Sequence, residues 1–196
     1  RDVRLISVAG GLVRKIDPIH KAVTEVGGQI AGPQLSVLRP QLFAAISYPN
    51  VFFADADNAR YYDTAVDELK DWNAAVTGSG NTLPSSSGRY CRLICEWSGR
   101  IVLARLESEP QNWFMSALND PFDWNFGGGL ETSAVAGSTL AGVVQPAGKT
   151  PDIVNCLVPW TNDVLLFGLD HSITALSGNP AGGGRFDTVT SITGMA

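Results

Sequence analysis

The chain has 196 residues, 44% of them hydrophobic and 17% charged, which suffices for one sizeable core and excludes an intrinsically disordered chain. The formal net charge of −5 disfavours a nucleic-acid binder, because phosphate contacts usually require a basic surface. No apolar run approaches the ~20 residues of a membrane-spanning helix, so no membrane span is expected.

In chain order, short apolar strands separated by turn residues predict a series of small antiparallel meanders. The clearest is the third, where Arg92–Trp97 alternates, Ser98-Gly99 forms a tight turn and Ile101–Ala104 is a second strand. The predicted units lie near residues 3–17, 42–76, 91–126 and 153–177, and a further unit starts at 186–196.

The third unit is partly repeated later in the chain. Trp97-Ser-Gly-Arg-Ile-Val-Leu103 recurs loosely as Trp160-Thr-Asn-Asp-Val-Leu-Leu166. Repeats of ~40–50 residues, each with a few strands, are typical of propeller blades. We therefore predict an all-β, propeller-like array of about four small antiparallel meanders, either a single domain over residues 1–196 or part of a larger propeller. An ordinary β-sandwich is the alternative. Because the sequence starts at Arg1 without Met, we expect a segment of something longer or a processed product.

Three stretches contain residue types used in catalysis or ligand binding. Gly142–Thr150 resembles a phosphate-binding loop but has five residues between its glycines, and Pro151 disfavours the required helix. Asp55–Asn58 lacks the glycine and distal Glu of a calcium loop. Asp170-His171-Ser172 points to alternating faces if it is a strand. We expect no catalytic residue, cofactor or metal site.

The cysteines and tryptophans are expected to be packing residues. Cys91, Cys95 and Cys156 lack metal-finger spacing and are interpreted as small buried hydrophobes, with a disulfide or metal site as the alternative. Four tryptophans occur at matching or flanking positions of the units, which favours packing between blades over a sugar-stacking platform: Trp97, Trp113, Trp124 and Trp160.

Carboxylates cluster near the third unit at Glu107, Glu109, Asp120 and Asp123. Such residues can pair as the acid and base of a glycosidase. Asp120 and Asp123 flank Pro121 in a turn, however, where acidic side chains commonly cap backbone amides. Turn capping is the preferred interpretation.

One motif resembles a known family. Asn112-Trp113-Phe-Met-Ser116, followed by Asn119-Asp120-Pro121-Phe-Asp123-Trp124, resembles the "W-x-x-S … D-P-x-x-W" stretch of β-propeller virion structural proteins of tailed bacteriophages. Gly99–Leu103, Gly178–Gly184 and Val51–Asn58 fit the same pattern, and the resemblance extends loosely over residues 3–190. These proteins form the tail nozzle, the hub or the head-to-tail stabilising ring.

The resemblance implies a non-enzymatic structural component of the virion, located in the tail or at the head–tail junction. Its partners would be other tail or connector proteins and further copies in a homo-oligomeric ring, through which DNA passes without specific binding. Asp55, Asp57, Glu107 and Glu109, in or beside predicted turns, are candidates for an acidic channel lining. Two alternatives stay open: a propeller glycoside hydrolase or carbohydrate-binding module, and a generic propeller interaction scaffold.

Overall fold

The structure, a computed structural model, describes residues 5–9, 12–17, 22–29, 43–47, 49–78, 81–137 and 148–189. These residues are almost entirely β-strand and turn, which confirms the predicted all-β class. Three parts of the chain to which the sequence analysis refers lie outside the described residues. They are Gly10-Gly11, which the sequence predicts to be a turn, residues 142–147 of the stretch that resembles a phosphate-binding loop, and residues 190–196.

The first seven strands belong to one sheet that consists of two consecutive meanders. Meander 1 contains β1 (Leu5–Ala9), β2 (Leu12–Ile16) and β3 (Val23–Gln29), and meander 2 contains β4 (Phe43–Ser47), β5 (Asn50–Ala54), β6 (Ala59–Asp63) and β7 (Glu68–Asp71). Neighbouring strands within each meander are antiparallel, and a parallel pairing of Gly27 with Glu68 joins β3 to β7.

Two four-stranded antiparallel sheets follow. Meander 3 contains β10 (Leu93–Trp97), β11 (Arg100–Ala104), β12 (Trp113–Met115) and β13 (Val135–Ala136), and meander 4 contains β14 (Val154–Thr161), β15 (Val164–Leu169), β16 (Ile173–Ser177) and β17 (Arg185–Thr188). Between meanders 2 and 3 lie the short helix α1 (Trp72–Ala75) and a hairpin formed by β8 (Ser85–Ser86) and β9 (Arg89–Tyr90).

Three boundaries differ from the sequence prediction. The strand expected to open a further unit is β17, the fourth strand of meander 4, because Phe186 packs against Trp113 and Phe167. Residues 126–152, rich in Gly, Ala, Ser and Thr, are predicted from the sequence to be a long joint, but Val135 and Ala136 pair with β12 and are buried. The glycines and Gly32-Pro33 of residues 21–40 predict an irregular segment, but β3 lies within it.

The local start of α1 also differs from expectation. In the sequence, Thr64 followed by Asp67 resembles a capping box, and residues 64–76 are compatible with a short helix or an irregular outer strand. In the structure, residues 64–67 form a turn. The helix begins instead at Trp72, where the Asp71 carboxylate accepts a hydrogen bond from the Ala74 amide at 3.0 Å. A carboxylate at this position satisfies an amide that has no partner within the helix.

Three apolar clusters fill the spaces between successive meanders. The first lies between meanders 1 and 2 and contains Val13 and Tyr62. The second lies between meanders 2 and 3 and contains Phe52 and Leu103. The third lies between meanders 3 and 4 and contains Val102 and Phe167. Meanders 2 and 3 therefore bury both of their faces.

Burial on both faces explains the sequence of β11. Val102 and Leu103 are adjacent in the chain, point to opposite faces, and enter different clusters. A strand covered on both sides is apolar without interruption instead of alternating. Among the first strands of the meanders, β10 lies against β4 on one side and β14 on the other.

Candidate functional site

The motif that carries the family resemblance runs through β12 to the turn after it, and its Trp113 lies in the interface between meanders 3 and 4. Trp113 is buried against Phe167 and Phe186, and its indole N–H donates to the carbonyl of Gly148 at 2.9 Å. Ser116 is also buried, and its hydroxyl accepts a hydrogen bond from the Ile101 amide at 3.1 Å. Both motif residues thus have structural partners.

The acidic residues of the motif hold its closing turn. The Asp120 carboxylate accepts from the Phe122 amide at 2.9 Å, and the Asp123 carboxylate accepts from the Asn125 amide at 2.9 Å. Asp and Asn side chains commonly bind an amide two residues along the chain in this way. The geometry agrees with turn capping, the preferred interpretation from the sequence.

The turn also connects meander 2 to meander 3. The indole N–H groups of Trp72 and Trp124 both donate to the carbonyl oxygen of Pro121 at 3.0 Å. The two rings meet edge to face, with centroids 5.8 Å apart, and both are buried. Trp72 was not among the residues singled out in the sequence, although Asp71 directly before it is a helix N-cap signal.

Arg100 is a second residue that sequence reasoning missed. Its guanidinium is buried and donates to three backbone carbonyls, those of Ser116 at 2.7 Å, Ser133 at 2.6 Å and Glu131 at 2.6 Å. Burial lowers the pKa of Arg100 from its ordinary value. The signal in the sequence was a cation at the first position of an otherwise apolar strand.

The four tryptophans expected to pack between blades occupy different environments. Trp97, Trp113 and Trp124 are buried, and the Trp97 indole N–H donates to the carbonyl of Thr161 at 2.8 Å, across the interface from meander 3 to meander 4. Trp160 is 69% exposed, so the packing expected of it is wrong within the described residues. β14 has a register irregularity between Pro159 and Thr161 and lies at the edge of its sheet, with Trp160 on the face away from meander 3.

Asp55 does not extend from its turn as a channel lining would require. Its carboxylate is 4% exposed and accepts hydrogen bonds from the amides of Asp57 and Asn58, both at 2.7 Å. The Asn58 side-chain amide also donates to both carboxylate oxygens. Asp55 therefore stabilises the turn between β5 and β6, because an unpaired buried carboxylate would be costly.

The other three acidic candidates are paired with cations. Arg89 lies between Asp57, at 3.1 Å, and Glu107, and so brings these two residues together. Glu109 lies elsewhere, 3.4 Å from the ammonium group of Lys149 and in contact with the side-chain amide of Asn112. The structure thus brings together two of the four candidates around one arginine.

The three cysteines are free thiols with different exposures. Cys91 is buried, Cys95 is half-buried, and Cys156 is exposed, which corrects the expectation that all three are buried. Burial raises the pKa of Cys91 and raises that of Cys95 to about 12. β14 shifts register between Val154 and Cys156. Val154 therefore points towards meander 3, whereas Cys156, two residues later, points to the opposite face and is exposed.

A cavity of about 280 Å³ lies beside the closing turn of the motif, where Leu83, Phe114, Trp124 and Asn125 contribute to its lining. Trp124 is buried and its N–H is already bonded to Pro121, so it offers no open ring face on which a sugar could stack. Within the described ranges, no group of three His, Cys, Asp or Glu side chains could hold a metal ion. None of the helices formed by those residues is long and apolar enough to cross a membrane.

The geometry defines an all-β protein whose meanders are joined by tryptophan hydrogen bonds to backbone carbonyls. No protein-family model matches the chain, and the comparison with curated protein sequences finds no match.

Proposed function

We propose that the chain is a structural component of a bacteriophage tail that forms part of the DNA conduit, as a nozzle, hub or head-to-tail connector ring. It acts without catalysis and without a cofactor. The observation that carries the proposal is that the motif resembling tail proteins, residues 112–124, builds the interfaces between meanders. Its Pro121 carbonyl accepts from both Trp72 and Trp124, and its Trp113 packs against meander 4. These are the interactions of a mechanical scaffold.

The arrangement of the meanders supports a propeller-like array. Meanders 2, 3 and 4 each have four antiparallel strands connected in chain order, as propeller blades do. They pack face to face in succession, and the first strand of meander 3 lies against the first strands of meanders 2 and 4. In a propeller the blades similarly surround a central channel.

The proposed partners are other tail or connector proteins of the virion and further copies of the chain in a ring, with DNA passing without specific binding. The net charge of −5 agrees with a conduit that does not hold phosphates tightly. Asp57 and Glu107, which meet on Arg89, are the acidic residues retained as candidates for the lining.

The lining is tested by charge reversal during DNA ejection. Phage carrying Asp57→Lys and Glu107→Lys should eject DNA more slowly, because cations in a conduit attract phosphates. Asp163→Lys, at an exposed turn of meander 4, is the matched control. Unchanged ejection in the double variant would show that these residues do not line the conduit. The location of the protein is tested by a separate experiment.

Immunogold electron microscopy on purified phage particles tests the location. An antibody against the segment 82–88, in which Thr82, Ser87 and Gly88 are exposed, would bind folded protein. Label on the tail axis or at the head–tail junction is expected. Particles that contain no label, together with free protein in the lysate, would contradict the proposal.

A generic interaction scaffold is the second candidate, favoured by one observation. Val158 and Trp160 of meander 4 are 43% and 69% exposed and form an open apolar surface. Such a surface on a stable monomer indicates a site for a different protein. Sedimentation of the purified chain separates the two functions, since a tail ring predicts self-association and a scaffold predicts a monomer.

A further inference from the structure

Among the described residues, meander 4 has one face covered by meander 3 and one face that no meander covers. Leu165, Phe167 and Leu176 point into the cluster shared with meander 3 and are buried. By the strand register, the opposite face contains Cys156, Val158 and Trp160 of β14, with Val164 and Leu166 of β15 beside them. We call this set the end face. Its three β14 residues are all exposed.

The end face repeats the covered face of the preceding meander. Leu93, Cys95 and Trp97 lie on the face of β10 that meander 4 covers. Cys156, Val158 and Trp160 have the same spacing on β14, with a tryptophan at the end nearest the turn. The Trp97 indole N–H donates across its interface to the carbonyl of Thr161, near the end of the next first strand. Trp160 is placed to make the equivalent bond to a further meander.

Meander 1, the first in the chain, also has apolar residues on the face away from meander 2. Val13 and Val26 are buried against meander 2, whereas Leu12 and Ile16 of β2 and Val23 of β3 lie on the opposite side. Val23 is 61% exposed. We call Leu12, Ile16 and Val23 the start face. The described residues place no further meander on either face, and Val158, Trp160 and Val23 are exposed there.

We propose that the end face of one copy binds the start face of a second copy, so that meanders stack continuously from copy to copy. The Trp160 indole of one copy donates to a backbone carbonyl at the end of β1 in the next, as Trp97 does to Thr161 within the chain. The interface is head-to-tail and generates a ring wherever the rotation closes. This inference rests on the proposed function, to which it adds the two faces that meet.

The charges on the two faces are compatible with this contact. Arg185 and Asp187 form an ion pair on the edge strand beside the end face, with 2.7 Å between a guanidinium nitrogen and a carboxylate oxygen. Arg14 lies between Leu12 and Ile16 on β2 and stands opposite Glu25 of β3, so this pair of charges lies within the start face. Each face thus offers both signs of charge, which permits opposite charges to meet across the contact and avoids a repulsive patch.

Sedimentation of three variants tests the proposal. Trp160→Glu places a charge on the end face, Val23→Glu places one on the start face, and Leu130→Glu changes a 68% exposed leucine outside both faces. Wild type and Leu130→Glu should assemble with the same affinity. Each face variant should assemble at least about 100-fold more weakly, because the substitution replaces an apolar side chain of the contact with a charged one.

Mixing the two face variants gives the sharpest result. Trp160→Glu keeps an intact start face and Val23→Glu keeps an intact end face, so the 1:1 mixture should form a heterodimer and nothing larger. A face-to-face contact between two end faces predicts instead that Val23→Glu dimerises alone. Because both residues are exposed in the single chain, circular dichroism and urea unfolding of the variants should match the wild type.

A wild-type chain that stays monomeric at about 100 μM, or one whose assembly survives both substitutions, overturns the proposal. Assembly that survives both substitutions refutes these two faces and leaves the proposed tail ring in place, whereas a monomeric wild type counts against the ring as well. Label on phage tails does not depend on these faces and separates the two failures.

Discussion

Trp72 and Trp124 donate to the same oxygen atom, the carbonyl of Pro121, each at 3.0 Å. Trp72 begins α1 after meander 2, and Trp124 ends the motif after β12 of meander 3. One carbonyl therefore holds together two parts of the chain that are about 50 residues apart in sequence, with the two buried rings in edge-to-face contact.

Replacing both tryptophans should cost more than the sum of the single replacements. Trp72→Phe or Trp124→Phe removes one donor and leaves Pro121 with the other, so each costs about 1–2 kcal/mol of unfolding free energy through the lost bond and lost volume. The double variant leaves the carbonyl without either donor, and we expect a coupling of about 1 kcal/mol. Urea unfolding of the four proteins measures it.

Additive effects would show that the shared carbonyl does not couple the two rings. Leu130→Ala is the control, because its side chain is 68% exposed, and it should change the unfolding free energy by less than about 0.5 kcal/mol.

Arg100→Lys should destabilise the fold by about 3 kcal/mol. The guanidinium reaches three carbonyls with two of its nitrogens, and the single ammonium nitrogen of lysine cannot lie within hydrogen-bond distance of all three. Thermal or urea unfolding measures the loss. The exposed Arg185→Lys is the matched control and should be close to wild type. Equal stabilities for the two variants would contradict the role assigned to Arg100.

The pair formed by His171 and Asp152 should give a pH-dependent contact. His171 Nδ1 donates to the Asp152 carboxylate at 2.6 Å, and this hydrogen bond raises the pKa of His171 and lowers the pKa of Asp152. The contribution of His171 to stability is therefore full below its unfolded pKa of about 6.5 and is lost as pH rises through the folded pKa. That of Asp152 is present above about pH 4 and is lost as pH falls through its folded pKa.

Titration of the His171 ring protons by NMR checks this prediction. Asp152→Asn should return the pKa of His171 towards about 6.5, while Asp163→Asn should leave it unchanged. An unchanged pKa in Asp152→Asn would show that the contact is absent in solution. The effect on stability should be small, since His171 is exposed to solvent.

The thiols should react in an order set by their exposure. Cys156 should react rapidly with a thiol reagent in the monomeric Trp160→Glu variant, whereas Cys91 should react only on unfolding, because burial raises its pKa and blocks access. In assembled wild type the Cys156 rate should fall several-fold, since Cys156 belongs to the end face. Equal rates in assembled and monomeric protein would place Cys156 outside any contact.

The local signals in the sequence predicted much of the fold. The hairpin of β10 and β11 was predicted from Ser98-Gly99, and both residues have the positive φ, 50° and 72°, of a turn between antiparallel strands. Asp120 and Asp123 were recognised as capping residues because that interaction is local. The recurrence of Trp97–Leu103 as Trp160–Leu166 indicated repeated meanders, and the structure contains them as meanders 3 and 4.

The features that were not predicted depend on distant parts of the chain. β13 has two residues and exists only because β12 offers an unpaired edge. Trp160 is exposed because it lies on the face of meander 4 that no described meander covers, which depends on the packing of whole sheets and not on local residues. Arg100 looked like an ordinary turn residue, since the three carbonyls that bind it belong to residues 16 to 33 positions later.

The central claim is that the chain is a structural part of the phage tail, and particles assembled without it test this claim most directly. A phage with a stop codon early in the gene, grown in a host that does not suppress it, should give heads with incomplete tails or heads that lose their DNA. Supply of the wild-type chain from a plasmid should restore complete particles, and Trp160→Glu should restore them poorly. Complete tails and full heads in the absence of the chain would contradict the account.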